Sequence, residues 1–212
     1  MEVVTRAFLT NFETREENGN GIVEGRPVVL NSPTDLGFCD EIIAPDALRN
    51  TDLTDVRLCL NHDTSFVYAR SRRNNARSTM QLASDALGLS FRAALDIANS
   101  PKAQDYYAAV KRGDIDKMSF MFTVDGVEWE NLESDHPTRR ITAIGKIFEI
   151  SAVTFPAYDT TSIEARDAKA LESVKRELES ARAELRKPPE SGTLAEIELA
   201  KAKYFFTRRK SK

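Results

Sequence analysis

Over roughly the first three quarters of the chain, apolar residues recur with a period of two in short runs broken by turn-forming residues. That spacing confines the fold to one built mostly of strands, because alternate side chains along a strand share a face. Two β-prone runs flank Asn18-Gly19-Asn20-Gly21, residue types that adopt positive φ readily, so a hairpin is predicted there. A second hairpin is predicted from Ser78 to Leu95, joined across Ser84-Asp85-Ala86, with Gly88 permitting close approach or a bulge. In VRLCLNHD, Val56, Leu58 and Leu60 share one face, Cys59 and Asn61 the other, and His62 ends the strand. In MSFMFTV, Met118, Phe120, Phe122 and Val124 form an apolar row, which leaves Ser119, Met121 and Thr123 on the wetter face.

Helical signals are few in this region. Pro45 near the start of FCDEIIAPDALRN, with Asp46 behind it, marks a short candidate. Ser100-Pro101 supplies a cap and a preset φ, and Gly113 a stop, for a helix from about Pro101 to Arg112. Asp125-Gly126 reads as a turn, VEWE as a short strand, Asn131 to Thr138 as a loop, and RRITAIGKIFEISAVTFPAY as a long strand ended by Pro156. Short strands at close spacing favour a barrel or folded sheet over a βαβ layout. Beyond Arg166, Leu171, Val174, Leu178, Ala181 and Leu185 step by three and four residues, the seam of a coiled-coil or amphipathic helix. Pro188-Pro189 ends it, and a second helix is predicted from Thr193 into the basic end at Arg208 to Lys212. This charged segment reads in isolation as a solvated tail.

Composition removes several function classes. With 30 Lys plus Arg against 33 Asp plus Glu, the chain lacks the broad positive field that nucleic-acid binding needs. Cys39 and Cys59 alone form neither a disulfide framework nor a four-cysteine zinc site, which fits a reducing compartment. No apolar run approaches the roughly 20 residues of a membrane span, and MEVVTRAFLT carries no signal-peptide stretch, so a soluble, unexported protein is expected. The two histidines lie far apart in the chain and give no zinc signature, so neither a metal nor another cofactor is expected.

Candidate chemistry rests on few residues. Serine-based amide hydrolysis needs a base, and an imidazole suits that task near neutral pH. His136 falls in the polar loop ESDHPT and reads as an exposed turn residue. His62 ends an apolar strand, where a scaffold can hold a ring whose tip reaches a cleft, though its local context equally fits a strand-end residue bonded to a carbonyl. Ser119 by itself reads as an ordinary polar residue. Glu149 is a lone carboxylate in KIFEISAVTF and must face solvent or be paired, for example with a histidine. Cys59, on the face opposite His62, reads with Cys39 as a buried structural thiol.

The succession LNHD, GDIDKMSFMF and FEISAVTFPAYDTTSIEAR resembles the caudovirus prohead serine protease family over roughly Ala7 to Arg166. The last segment is the most specific. The resemblance implies a mainly β fold with helices: a mostly antiparallel β-barrel surrounded by helices, similar to the herpesvirus assembly proteases, over residues 1–166. Residues 167–212 would form a charged helical C-terminal extension. It also implies a catalytic set of Ser119 as nucleophile, His62 as base and Glu149 as third member. Asp63 is a competing carboxylate, disfavoured because adjacent residues on an extended chain point to opposite faces. The chain order His, Ser, acid and the lack of a Gly-x-Ser-x-Gly elbow exclude the chymotrypsin-like, subtilisin-like and hydrolase folds. Arg139 and Arg140 read as solvated strand-edge charges rather than oxyanion donors.

By the same resemblance the substrates would be the scaffold-like part of the major capsid protein precursor and the protease's own chain, inside the assembling prohead in the bacterial host cytoplasm. A homodimer is expected, with neither nucleic acid nor membrane as partner. The rival expectation is a non-catalytic assembly protein that keeps the fold and uses its heptad segment as a scaffold.

Overall fold

The computed structural model describes residues 3–154 and 165–186, and the side chains of Leu9 and of 165–169 are outside that description. The strands are β1 (Val3–Leu9), β2 (Glu13–Glu17), β3 (Asn20–Val29), β4 (Pro33–Asp35), β5 (Asp40–Ile43) and β6 (Val56–Leu60). They continue with β7 (Ala69–Ser71), β8 (Met80–Asp85), β9 (Gly88–Leu95), β10 (Lys117–Glu130) and β11 (Thr138–Val153). Helix α1 (Pro101–Arg112) lies between β9 and β10, and α2 (Ala165–Leu185) follows β11.

A seven-stranded sheet runs in the order β1-β10-β11-β5-β4, with β6 pairing β11 and β7 pairing β6; β2-β3-β9-β8 form a second, antiparallel sheet. The strand pairing among the described residues leaves both sheets open, so the fold is a mixed, mostly β one with two helices. Their apolar faces share one core that includes Val23, Leu89 and Phe91 from the smaller sheet and Met118, Phe120 and Phe122 from the larger. Phe120 and Phe122 stack with centroids 4.4 Å apart.

The first hairpin forms where the sequence places it. Asn18 (φ 49°) and Gly19 (φ 79°) take the left-handed conformations that match the twist of β2 and β3. The second turns one residue later than expected, over Ala86 and Leu87. Gly88 has φ 142°, and a Cβ there would overlap the Val28 carbonyl, so the expected close approach is real. Helix α1 is capped by Ser100, whose hydroxyl accepts from the Ala103 N–H at 3.3 Å, and is closed by Gly113 at φ 77°. It buries Ala103, Tyr106, Tyr107 and Val110.

Two expected elements differ. The Pro45 segment is a series of turns and not a helix: the Ala47 carbonyl accepts from Ile144 N–H at 2.9 Å, which ties the segment to β11. Asp125-Gly126 is not a turn either. Strand β10 runs through it and takes in VEWE, because Val124 and Gly126 stay paired with Ile144 and Ala143 across a series of register shifts. The freedom of that dipeptide accommodates an irregular, bulged stretch.

The heptad residues of α2 turn inward onto the chain itself. Val174 and Leu178 are buried, and Val174 packs with Leu36 and Cys39 beside Phe38 and Trp129. The Glu177 carboxylate accepts from Trp129 Nε1 at 2.8 Å and Arg139 Nη2 at 2.8 Å. Arg182 donates to the carbonyls of Leu132 and Ser134. Described α2 is therefore a docked helix, with only Leu185 of the seam strongly exposed. The Pro156 strand stop, the Pro188-Pro189 break, the second helix from Thr193 and the basic end all lie outside the described residues.

Candidate active site

Strand β11 is the spine of the site. It pairs with β10 on one side, where Ser119 faces Ser151 in register, and with β6 on the other, where Cys59 faces Ser151 and Arg57 faces Glu149. Register partners share a face, and residues two apart on a strand share it too, so Ser119, Ser151, Glu149 and Cys59 lie on one side of the sheet. The opposite side carries Phe120, Ile150 and Leu58, all fully buried.

After Leu60 the chain leaves the ladder. Asn61 and His62 both take left-handed φ, 51° and 59°, conformations that asparagine adopts more readily than most residues. Asn61 fastens this turn to the end of β11: its N–H donates to the Ala152 carbonyl at 2.9 Å, and its Oδ1 accepts from Thr154 N–H at 2.9 Å. The turn brings the imidazole to the face of Glu149. His62 Nδ1 lies 2.5 Å from Glu149 Oε1, and the His62 backbone N–H donates to Ser151 Oγ at 3.2 Å. The Ser151 hydroxyl in turn donates to Glu149 Oε2.

Glu149 is 2% exposed, so it is buried and paired, one of the two states its sequence context allowed. The His62 side chain keeps 23% exposure, which leaves part of the ring open to solvent. Asp63 is exposed and spent on Ser65, whose hydrogen bond to its carboxylate at 2.9 Å holds it below the usual carboxylate range. Of the two candidate acids, Glu149 is the one bonded to the imidazole. The expectation that Cys59 and His62 lie on opposite faces is corrected: alternation stops at Asn61, and the ring folds back to the Cys59 side. The Cys59 thiol is nonetheless fully buried, and that burial, with the nearby Glu149 charge, pushes its pKa up to about 12. It is a poor nucleophile. Burial does the same to Cys39.

Ser119 does not sit on a wet surface. It is 2% exposed, and its Oγ has no hydrogen-bond partner among the described residues. As its antiparallel register partner, Ser151 has its Cα about 4.5–5.5 Å away. Tyr106 from α1, fully buried and tilted against Tyr68 with ring centroids 4.6 Å apart, lies close enough to sense Cys59 and Glu149; burial is the main cause of its raised phenol pKa. The sequence reading missed Ser151. The period of two from Glu149 was the available signal, since it places Ser151 on the carboxylate's face.

The remaining charged candidates fall elsewhere. His136 is exposed, with Nε2 3.3 Å from Asp40 Oδ1 and 3.7 Å from Asp35 Oδ1. These three are the one His/Asp group of possible metal-ligand geometry among the described residues. Arg139 is not the solvated edge charge expected. It is 4% exposed and bridges Glu41 (2.6 Å) to Glu177, while Arg6 grips Glu41 from the other side. Burial alone would raise the Glu41 pKa, but the Arg6 and Arg139 charges and hydrogen bonds overcome it and hold the carboxyl low. Arg140 is partly exposed and pairs with Glu130.

A carboxylate-oriented imidazole on the serine-bearing face of a sheet supplies the groups that a serine hydrolase requires. The caudovirus prohead serine protease family matches residues 10–177, which reaches from the end of β1 into α2, and the chain belongs to that family. No curated protein and no solved structure matches it. No helix among the described residues is long and apolar enough to cross a membrane.

Proposed function

We propose that this chain is the serine endopeptidase of phage capsid maturation, with Ser119 as nucleophile, His62 as general base and Glu149 as the residue that orients the base. The observation that carries the reading is the His62–Glu149 contact on the face of β11 that Ser119 shares. Glu149 accepts the Nδ1 proton, which leaves the Nε2 lone pair as the basic position. His62 takes the Ser119 hydroxyl proton as Oγ attacks the scissile carbonyl, then returns it to the leaving amine. Water, deprotonated by the same ring, hydrolyses the acyl-enzyme. Serine and imidazole contacts commonly tighten only when substrate is bound, which is consistent with a Ser119 hydroxyl that meets no partner here.

The substrates proposed are the scaffold-like part of the major capsid protein precursor and the protease's own chain, cleaved inside the prohead by a homodimer. No cofactor is required by this chemistry. The fold is proposed to be related to the herpesvirus assembly-protease barrel. The protease unit is taken as 1–166 and the extension as 167–212, the start of which docks through α2. Co-expression with the capsid precursor tests this: the parent chain yields precursor fragments and Ser119→Ala leaves the precursor intact. Identical fragment patterns would remove Ser119 as nucleophile.

A further inference from the structure

We infer that Ser151 is a positioning residue of the catalytic set, holding both ends of the His62–Glu149 pair at once; this rests on the function proposed above and deepens it. Three residues close a ring of hydrogen bonds. The His62 N–H donates to Ser151 Oγ at 3.2 Å, the Ser151 O–H donates to Glu149 Oε2, and Glu149 Oε1 meets His62 Nδ1 at 2.5 Å.

A hydroxyl suits this place because it offers one donor together with acceptor lone pairs, and here it uses both functions. Each link meets a need that the rest of the fold leaves open. The left-handed turn takes the His62 N–H out of the strand ladder, so it needs a separate acceptor. Glu149 is buried, and its Oε2, turned from the imidazole, needs a hydrogen-bond donor in place of the water it has lost. With Oε2 engaged by Ser151, Oε1 is left to face Nδ1–H. The ring thus fixes the carboxylate rotamer, the imidazole tautomer and the distance between them. Ser151 has 0% exposure and a backbone held between β10 and β6, so this hydroxyl is on a rigid mount. It is also the register partner of Ser119, so the same residue that holds the base faces the proposed nucleophile.

A serine that merely satisfied core polarity would affect stability and leave the chemistry of folded molecules unchanged. The test compares the parent, Ser151→Ala, the near-isosteric Ser151→Cys and Ser119→Ala in reaction with a fluorophosphonate probe. Rates are measured against probe concentration and pH, corrected for the folded fraction, and the labelled peptide is identified by mass spectrometry. In both Ser151 variants the limiting labelling rate is expected to fall about 10- to 100-fold, the size of loss found when the hydrogen-bond partner that orients a metal-ligating histidine is removed. The half-saturating probe concentration stays unchanged, and the midpoint of the pH profile is displaced. Folded Ser151 variants that label with the parent's limiting rate and midpoint overturn this inference alone. Labelling of Ser119→Ala at the parent's rate, or a parent that does not label, overturns the functional reading instead. Label found on Ser151 overturns both.

Discussion

Replacing Glu149 by glutamine keeps the size of the side chain and removes its charge, and the surrounding hydrogen bonds determine which way the new amide must face. The Ser151 hydroxyl, fully buried, donates to Oε2 and accepts from the His62 N–H. If the amide oxygen turns to Ser151, its NH2 faces His62 Nδ1, which must then accept, so the imidazole proton moves to Nε2 and the base is blocked. In the reverse orientation Ser151 receives two donors and its own proton is stranded. Leaving a buried donor unsatisfied costs about 1–3 kcal/mol, which favours the blocked tautomer by roughly 5- to 150-fold. Loss of the charge facing the imidazolium adds to this, and the corresponding carboxylate-to-amide change in a serine protease triad lowers turnover about 10⁴-fold. Fluorophosphonate labelling of Glu149→Gln should therefore fall by about 10³- to 10⁴-fold, while its urea midpoint shows that it folds. Adding Ser151→Ala in the Glu149→Gln background frees the amide to turn and should restore part of the rate, although the same substitution in the parent lowers it. Labelling of Glu149→Gln at the parent's rate, or a double variant slower than the single one, would show that Glu149 does not set the imidazole tautomer through Ser151.

Glu41→Gln should lower stability at neutral pH by about 3 kcal/mol, because it removes the anion between Arg6 and Arg139. The Glu41 pKa is lower in the folded state than its ordinary 4.5, so its contribution is complete above that pH and is lost as pH falls through the folded value. Urea midpoints below pH 4.5 should accordingly decline less in Glu41→Gln than in the parent; parallel declines would contradict the network's role. Gly88→Ala should cost about 2–4 kcal/mol, from positive φ together with the overlap at Val28, and a urea midpoint near the parent's would show that β3 and β9 do not approach as described. Cys39 and Cys59, both buried and with thiols pushed up to about 12, should resist a thiol-specific disulfide reagent at mildly alkaline pH until the protein is denatured; reaction in the native state would refute their burial.

What the sequence made legible follows from how local each signal is. The Asn18-Gly19 hairpin and the Ser100-to-Gly113 helix depend on residues a few positions apart, and both form as read. Asp125-Gly126 carries an equally local turn signal, but pairing with β11 outweighs it and the strand continues. Face assignments held along β10, where Met118, Phe120 and Phe122 line the core, yet the assumption that the opposite face is wet failed, since Ser119 and Thr123 are buried as well. Alternation carried past Leu60 placed His62 on the wrong side relative to Cys59, because two left-handed residues reset the chain's direction. Arg139 was misread for a different reason: its partners Glu41 and Glu177 are distant in sequence, and strand-edge position alone does not reveal an ion network. Glu149 could be read as a carboxylate in need of a partner. The family resemblance already implied His62 as that partner, whereas the link that Ser151 makes between the two is long-range information that emerges only from the fold, where β6 lies in register beside β11.

A crystal structure of the fluorophosphonate-treated protein would decide whether Ser119 is the nucleophile served by the His62–Glu149 pair. Phosphorus should be bonded to Ser119 Oγ, with His62 Nε2 turned toward that oxygen and Nδ1 still on Glu149. An adduct on another residue, or a Ser119 hydroxyl left unmodified and remote from the imidazole, would contradict it and favour an assembly protein that keeps the fold without the chemistry.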